Sequence, residues 1–165
     1  MSTPHKTTPH KRSDLAEIRA LLRSGGRRKG HFYAALLGLR TYEPLELIEQ
    51  VRKGLSYSTF LRFQRNTNLS ARTLSELTQI RSRTLTRRKE AGRLDPEESD
   101  RLLRASRVFG RALELFEGDG EAARDWLSRT QMALGGLAPL ELAKSEVGAR
   151  EVESLIGRLE HGIPS

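Results

Sequence analysis

The sequence predicts an all-α protein, and three observations support this fold class. Apolar residues recur three and four positions apart along the chain, which is the spacing that places side chains on one face of a helix. Helix start and stop signals separate these runs, and the clearest is Asp95-Pro96-Glu97-Glu98. No segment shows the sustained alternation of apolar and polar residues that predicts a half-buried strand.

The first 30 residues are predicted to form a basic tail and a short helix. Residues 1–13 contain two prolines and no apolar cluster, a composition typical of disordered segments. Ser13 or Asp14 can cap the helix that follows, and the glycine-rich basic segment 25–30 would end it. The apolar stripe of this helix would consist of Leu15, Ile18, Leu21 and Leu22.

Two further helices are predicted between His31, where the ordered part should begin, and Asn68. Pro44 suits the first turn of one helix, and Gly54 suits its C-terminal end. Ser56 can cap the next helix, and Asn68 is the candidate for its C-cap.

Residues 69–94 are predicted to form two short helices separated by a tight turn. Ser70 can cap the first helix, Ser82 can cap the second, and Gly92 can end it. The residues that would pack the two helices together are Leu74, Leu77, Ile80 and Leu85.

The second of these helices carries a dense run of cationic and hydroxyl side chains. A helix-turn-helix that binds DNA needs this distribution, because its first helix braces the second and the second projects Arg, Lys and Thr toward base edges and phosphates. The candidate DNA-contacting residues are Arg81, Ser82, Arg83, Thr84, Thr86, Arg87, Arg88 and Lys89. The alternative is a charged, solvated helix hairpin that contacts no partner.

The charge of the chain is unevenly distributed. Residues 1–89 contain 19 Lys/Arg and 6 Asp/Glu, whereas residues 90–165 contain 10 and 15, so a part of charge +13 precedes a part of charge −5. This asymmetry indicates one surface for a polyanion and a second surface for a different partner. An anionic membrane surface would also suit the basic part, but no segment approaches the roughly 20 apolar residues that span a bilayer.

The acidic part is predicted to contain a long helix followed by shorter ones. The long helix starts after Asp95 and ends before Gly118, and Trp126 is the expected anchor of the next helix. Gly135-Gly136 breaks the chain, and Pro139 starts another short helix. The seam of the long helix would consist of Leu102, Ser106, Phe109, Leu113 and Phe116. The stripe of the last helix would consist of Val152, Leu155, Ile156 and Leu159.

Composition argues against several classes of protein. The chain has 165 residues, 36% of them hydrophobic and 5% aromatic, which permits one domain of ordinary size or two small ones. Cysteine is absent, which excludes disulfides, thiol catalysis and thiolate metal sites. No HExxH, phosphate-binding glycine loop or GxSxG motif occurs, so we expect no catalytic residues, no metal and no cofactor. The N-terminus lacks the apolar stretch of a secretory signal, and we expect a cytoplasmic protein.

Two segments resemble a known family. The stretch ALELFEGDGEAARDWLSRTQMALGGLAPLELAKSEVGAREVESLIGRLEHG closely resembles the toxin-binding domain of the Xre/MbcA/ParS antitoxins. The stretch LSELTQIRSRTLTRRKEAGRLDPEESDRLLR resembles the Xre-type helix-turn-helix that precedes it in that family. Gln79 stands where the family usually has Gly, and Arg81 stands where it usually has Ser or Pro. The matching C-terminal motifs are Trp126-Leu127, Leu134–Leu142, Gly148 with Val152, and Glu160 with Gly162.

The resemblance implies a type II antitoxin with two partners. One is a RES-domain toxin that degrades NAD⁺, and the other is double-stranded operator DNA through which the protein, or its complex with the toxin, represses its own operon. A helix-turn-helix domain at residues 31–108 would precede a small toxin-binding domain at residues 109–165. The implied toxin-binding residues are Trp126, Leu134, Gly135, Gly136, Pro139, Leu140, Val152, Glu160, Gly162 and Ser165.

Glu160 and the terminal carboxylate of Ser165 have a specific expected role within that set. A RES toxin must bind the anionic pyrophosphate of NAD⁺, so its pocket should be positively charged. The two carboxylates are therefore expected to enter the pocket and compete with the dinucleotide, and the alternative is a frayed chain end.

The expected assembly is a hetero-oligomer with the toxin, and a homodimer is the other arrangement considered. A different function remains open, namely a stand-alone transcriptional regulator whose C-terminal half only dimerises, through Leu102, Phe109, Leu113 and Phe116. An enzyme is the third hypothesis.

Overall fold

The all-α prediction is confirmed. A computed structural model describes residues 14–24 and 30–162, and within them it contains helices and two isolated antiparallel bridges, Ser56 with Arg93 and Gln131 with Leu137. The α-helices are α1 (Asp14–Arg23), α2 (Pro44–Lys53), α3 (Tyr57–Thr67), α4 (Ala71–Thr78), α5 (Ser82–Ala91), α6 (Pro96–Leu115), α7 (Gly120–Ser128), α8 (Pro139–Leu142) and α9 (Glu146–Glu160). Two 3-10 helices, Phe32–Leu37 and Met132–Leu134, connect them. The tail expected at residues 1–13 and the segment 25–29 lie outside the described residues.

Helix α6 is the centre of the fold. It packs against the 3-10 helix Phe32–Leu37 and against α2, α3, α4, α7 and α9. Its side chains belong to one hydrophobic core that also includes residues of the helices before and after it, so the two parts of the chain share a single packing unit. Phe109 of α6 meets Phe63 of α3 edge to face, with ring centroids 6.3 Å apart. The boundary expected between residues 108 and 109 lies within this continuous helix.

The start of α6 forms as the local sequence predicts. The Asp95 side chain accepts a hydrogen bond from the Glu98 backbone N–H at 2.7 Å, and the Glu98 carboxylate accepts one from the Asp95 N–H at 3.0 Å. Pro96 occupies the first turn, where its missing N–H has no cost. This reciprocal capping box fixes the direction in which α6 leaves the preceding loop.

The caps predicted from Ser56 to Gly92 form with one exception, whereas Ser13, a candidate cap of α1, lies outside the described residues. Ser56 and Ser70 accept hydrogen bonds from backbone N–H groups at the starts of α3 and α4, and Asn68 ends α3 in the left-handed conformation. The predicted cap Ser82 is wrong, because Ser82 is already the first residue of α5. Arg81 takes the N-cap position with extended backbone angles and makes no side-chain cap.

The predicted seam of α6 faces the interior of the protein. Leu102, Phe109 and Leu113 are almost fully buried in the core, and Ser106 is buried beside them. Phe116 is half-buried and lies 6.3 Å from Trp126 between ring centroids. The seam is therefore unavailable for the dimerisation considered above, because helices of the same chain cover it. Its heptad-like spacing reflects a central helix that is surrounded by neighbours.

The short helix α1 forms and is attached to the segment that follows α6 and to the segment that precedes α2. Ile18 is fully buried, as its place in the apolar stripe predicts. The Arg19 side chain donates to the Gly118 carbonyl at 3.0 Å, and the Tyr42 hydroxyl donates to the Glu17 carboxylate at 3.2 Å. Burial, together with this carboxylate, raises the pKa of Tyr42 to about 12, so the hydroxyl keeps its proton at neutral pH.

Candidate functional site

The turn between α4 and α5 is held in a defined geometry. Gln79 adopts the left-handed conformation, with φ of 55°, at the position where a glycine would carry no penalty. The Ser75 hydroxyl donates to the Ile80 carbonyl at 2.7 Å, and Ile80 itself is buried. Arg101 of α6 donates to the Thr78 carbonyl at 2.7 Å. These contacts hold the turn after α4 in place and so set the direction in which α5 begins.

Helix α5 lies on the surface and directs most of the predicted DNA-contacting residues outward. None of its residues is fully buried. Leu85, its one large apolar side chain, packs on the core. Thr84 is half-buried on the same inner side. The exposed candidates are Arg81, Ser82, Arg83, Thr86, Arg87 and Lys89. Arg83, Thr86 and Arg87 share one face because they are three and four positions apart.

Four exposed cations of this surface form no ion pair within the part of the chain that the structure describes. Arg81, Arg83, Arg87 and Lys89 form no ion pair with another described residue. A helix that presents four unpaired cations to solvent can neutralise phosphates without first breaking an internal contact. This arrangement favours a polyanion as the partner over a merely solvated hairpin.

Arg88 departs from its predicted role. Its guanidinium donates to both carboxylate oxygens of Glu98, at 2.8 and 3.1 Å, and to Asp95 at 3.0 Å. The hydrogen bond with Glu98, a buried carboxylate, is the main reason that the pKa of Arg88 is raised. Arg88 therefore attaches α5 to the capping box of α6 and is not free to contact a phosphate.

Most of the predicted toxin-binding residues are either buried in the core or glycines in turns. Leu134, Pro139, Leu140 and Val152 are buried in the protein's own core, so they shape the domain and do not present a contact surface. Trp126 is half-buried against Phe116. Gly135, Gly136 and Gly162 are exposed in turns, and Ser165 lies outside the described residues.

Glu160 does not project freely from the chain end. Its carboxylate accepts a hydrogen bond from the Arg111 guanidinium at 3.1 Å, and its side chain is only 8% exposed. Arg111 also pairs with Glu114. The expected entry of Glu160 into a toxin pocket would require this ion pair to break, so the structure gives Glu160 a role in attaching α9 to α6.

Glu160 is the last of a row of ion pairs between α6 and α9 that the sequence analysis missed. The pairs are Arg104–Glu146 at 4.0 Å, Arg107–Glu146 at 2.9 Å, Arg107–Glu153 at 2.9 Å and Arg111–Glu160 at 3.1 Å. We call these six residues the α6–α9 ladder. The sequence does carry a signal for it, because the three glutamates are seven positions apart and the three arginines lie three and four positions apart.

Arg107 and Glu146 of the ladder stabilise each other's charged forms. Burial alone would lower the pKa of Arg107, but the carboxylates of Glu153 and Glu146 outweigh burial and raise it. Burial alone would raise the pKa of Glu146, but its hydrogen bonds and charge interactions with Arg107, Arg150 and Arg104 together outweigh burial and lower it. Part of the negative charge of the C-terminal part is thus neutralised within the chain.

The sequence analysis also missed the exposed apolar residues of the C-terminal part. Met132 is 91% exposed, Val147 75%, Leu137 49% and Leu159 39%. Met132 and Leu137 lie in the segment around Gly135-Gly136, outside every helical stripe. That position outside the stripes is the signal that marks them as surface residues.

Other types of site were sought in the described part of the chain. Within residues 14–24 and 30–162, no three His, Asp or Glu side chains are grouped in a way that could hold a metal ion. None of the helices described here combines the length and apolar character that crossing a bilayer requires.

Comparison with protein families gives two matches that together cover most of the described chain. Residues 46–107 match the Antitoxin Xre-like helix-turn-helix domain. Residues 111–162 match the Antitoxin Xre/MbcA/ParS C-terminal toxin-binding domain. The two matches meet inside α6.

Individual relatives agree with these matches. The chain is 38% identical over 128 residues to Antitoxin Xre of Yersinia enterocolitica, an alignment that covers 77% of this chain and 86% of that protein. It is 42% identical over 74 residues to Antitoxin Xre of Photorhabdus laumondii, covering 45% and 50%. It is 24% identical over 153 residues to the Prs ADP-ribosylating antitoxin of a Sphingobium species, covering 86% and 96%.

Proposed function

Because the chain belongs to the Xre/MbcA/ParS family of antitoxins of toxin–antitoxin systems, we propose that it blocks a RES-type toxin that degrades NAD⁺ and represses its own operon. The observation that carries the proposal is that one helix, α6, contacts both the cationic helix α5 and the helices of the C-terminal domain. Helix α6 is attached to the cationic helix α5 near its start, where Glu98 pairs with Arg88, and it packs against α7 and α9. The protein acts by binding, and the toxin supplies the chemistry.

Operator DNA is the proposed partner of α5. Arg83, Thr86 and Arg87 form the face that would enter the major groove and contact base edges, because they share one side of the exposed helix. Arg81, just before the helix, and Lys89, in its last turn, lie away from this face and would contact phosphates beside the groove. Ser82 and the half-buried Thr84 stay secondary candidates at the start of the helix.

The toxin is the proposed partner of the C-terminal domain. The buried motif residues Leu134, Leu140 and Val152 give this domain its shape, and exposed residues around them would make the contact. Inhibition would follow from covering the toxin's active site, so that NAD⁺ cannot enter. Ser165 stays a candidate for contact with the toxin, whereas the Arg111 pairing argues against Glu160.

A toxin that transfers ADP-ribose is the second candidate partner. The name of the Sphingobium relative, Prs ADP-ribosylating antitoxin, favours it. Both candidate toxins would cleave NAD⁺ and transfer its ADP-ribose to an acceptor. The acceptor is water for an NAD⁺-degrading enzyme and a protein for an ADP-ribosylating one. A cytoplasmic location is proposed, since operator DNA and NAD⁺ are both found there.

Co-expression with the toxin encoded beside this chain tests the proposal. The antitoxin should co-purify with the toxin, protect cells that express it, and stop NAD⁺ loss in a purified assay. Labelling of a cellular protein with ADP-ribose, with slower NAD⁺ loss, would favour the second candidate. A chain that binds its operator but no neighbouring protein would instead support a stand-alone transcriptional regulator.

A further inference from the structure

The segment Gln131–Leu137 is a closed loop on the surface of the C-terminal domain. The Gln131 backbone N–H donates to the Leu137 carbonyl at 3.0 Å, and the Gly136 N–H donates to the Gln131 carbonyl at 3.0 Å. The 3-10 helix Met132–Leu134 lies between these ends. We call this segment the 131–137 loop. Its backbone hydrogen bonds close within the loop, so its shape does not depend on a partner.

Two further features fix the loop on the domain. Leu134 inserts into the core, and the Gln131 side chain donates to the Trp126 carbonyl at 3.3 Å. Gly135 and Gly136 have φ values of 68° and 79°, a left-handed pair that side chains with a Cβ rarely adopt. The glycines therefore allow the tight reversal, and Leu134 holds the loop in place.

This rigid loop presents two apolar side chains to solvent. Met132 is 91% exposed and Leu137 is 49% exposed, on either side of the buried Leu134. Covering such side chains is favourable by the hydrophobic effect. A preformed loop also loses little conformational freedom when it binds, and methionine adapts its shape to an apolar surface.

We propose that Met132 and Leu137 are the residues by which this chain anchors itself in an apolar pocket of its toxin. The inference rests on the proposed function. The loop lies within residues 111–162, which match a family model described as a toxin-binding domain, so the toxin is the occupant that the match favours. Single exposed apolar residues are common on protein surfaces, but here two of them are presented by one rigid loop of that domain.

Other exposed apolar positions provide matched controls. Val147 is 75% exposed at the start of α9 in the same domain, and Leu61 is 46% exposed on α3 of the helix-turn-helix part. A general loss of surface hydrophobicity would affect all four positions equally. An anchor at the 131–137 loop would make Met132 and Leu137 different from Val147 and Leu61.

The test uses the full chain and the toxin encoded beside it, purified separately. Met132→Glu, Leu137→Glu and the double variant are compared with Val147→Glu and Leu61→Glu by titration calorimetry. We expect the dissociation constant to rise at least about thirty-fold for each anchor variant, the scale of an interface hot spot, and by less than about threefold for the controls. Circular dichroism and operator binding should be unchanged in all variants, which separates loss of contact from loss of fold.

Three results would overturn the inference. The first is toxin binding of native strength by the double variant. The second is equal loss of binding in Val147→Glu, which would place the contact at the start of α9. The third is a fall in antitoxin mass by light scattering in the double variant with toxin binding unchanged, which would make the loop a contact between antitoxin copies. If the unsubstituted chain binds no toxin, the proposed function itself fails, and the wild-type arm shows this independently.

Discussion

At the scale of single residues, Arg87 and Arg88 show how neighbours in a cationic run take different roles. Arg87 is exposed on α5 and forms no ion pair with another described residue. Arg88, one position further, turns inward and contacts both oxygens of Glu98. A helix turns by about 100° per residue, so two adjacent cations can face different neighbours. Substitutions at Arg87 and at Arg88 should therefore have different effects.

We expect Arg87→Glu to weaken operator binding and Arg88→Ala to weaken the fold. Loss of an Arg that contacts DNA costs about 1–3 kcal/mol of binding free energy, and reversing the charge adds repulsion. Loss of Arg88 leaves the buried Glu98 carboxylate without its main partner, which should lower the free energy of unfolding by about 1–3 kcal/mol. Urea unfolding and electrophoretic mobility shifts at 20 °C measure the two effects. Operator binding lost in Arg88→Ala with native stability would contradict this assignment.

At the scale of elements, α9 is attached to the rest of the protein by charge on one side and by close packing at its start. The α6–α9 ladder supplies the charge contacts. Gly148 supplies the close approach, because a Cβ at this position would lie 1.9 Å from the Leu142 carbonyl oxygen. Gly157, further along the same helix, has no atom within 4 Å of such a Cβ. The two glycines of one helix thus differ in the space around them.

Substitution of these glycines by alanine should have opposite effects. Gly148→Ala forces α8 and α9 apart and should lower the free energy of unfolding by about 1–3 kcal/mol. Gly157→Ala removes the entropic cost of glycine inside a helix and should raise it by about 0.5–1 kcal/mol. Urea denaturation monitored by circular dichroism at 222 nm measures both. Equal effects of the two substitutions would show that α8 does not pack on Gly148 as described.

The ladder should also make stability depend on pH. Because the pKa of Glu146 is lowered in the folded protein, its contribution is complete above the unfolded value of 4.5 and is lost as pH falls through the folded value. We expect the free energy of unfolding to fall below about pH 4.5, with a smaller decline in Glu146→Gln. Urea titrations between pH 3 and 7 compare the two proteins. Glu151→Gln is the control, since Glu151 is exposed and forms no ion pair with another described residue.

At the scale of the whole molecule, the sequence predicts what is local and misses what depends on three-dimensional register. The capping box at Asp95 and the caps at Ser56 and Ser70 are predictable because each acts within a few residues. The inward turn of Arg88 is not, since its partners lie across the loop that follows α5. Motif residues such as Val152 suggest a contact surface in the sequence, but a motif can equally specify a core, and the structure places Val152 there.

Charge and size together predict how the molecule meets DNA. Helices α4 and α5 span only eight and ten residues, and a reader of this size covers few base pairs, so two copies are expected on a pseudo-palindrome. Half-sites should be about 34 Å apart, or a multiple of that distance. The second copy can be brought by the toxin complex or by the antitoxin itself. A DNase footprint with one unrepeated half-site would contradict this arrangement.

The salt dependence of binding gives an independent measure of the same complex. Each phosphate that is neutralised lowers log K by about 0.9 per unit of log salt concentration. If Arg81 and Lys89 each contact a phosphate in both copies while Arg83 and Arg87 contact bases, the slope should be about −4. An Arg that reads bases contributes affinity without adding to this slope, so Arg81→Ala should flatten it by about 2 and Arg87→Ala by less. A slope near −7 with a two-site footprint would mean that Arg83 and Arg87 also contact phosphates, and the face of α5 in the groove would have to be reassigned.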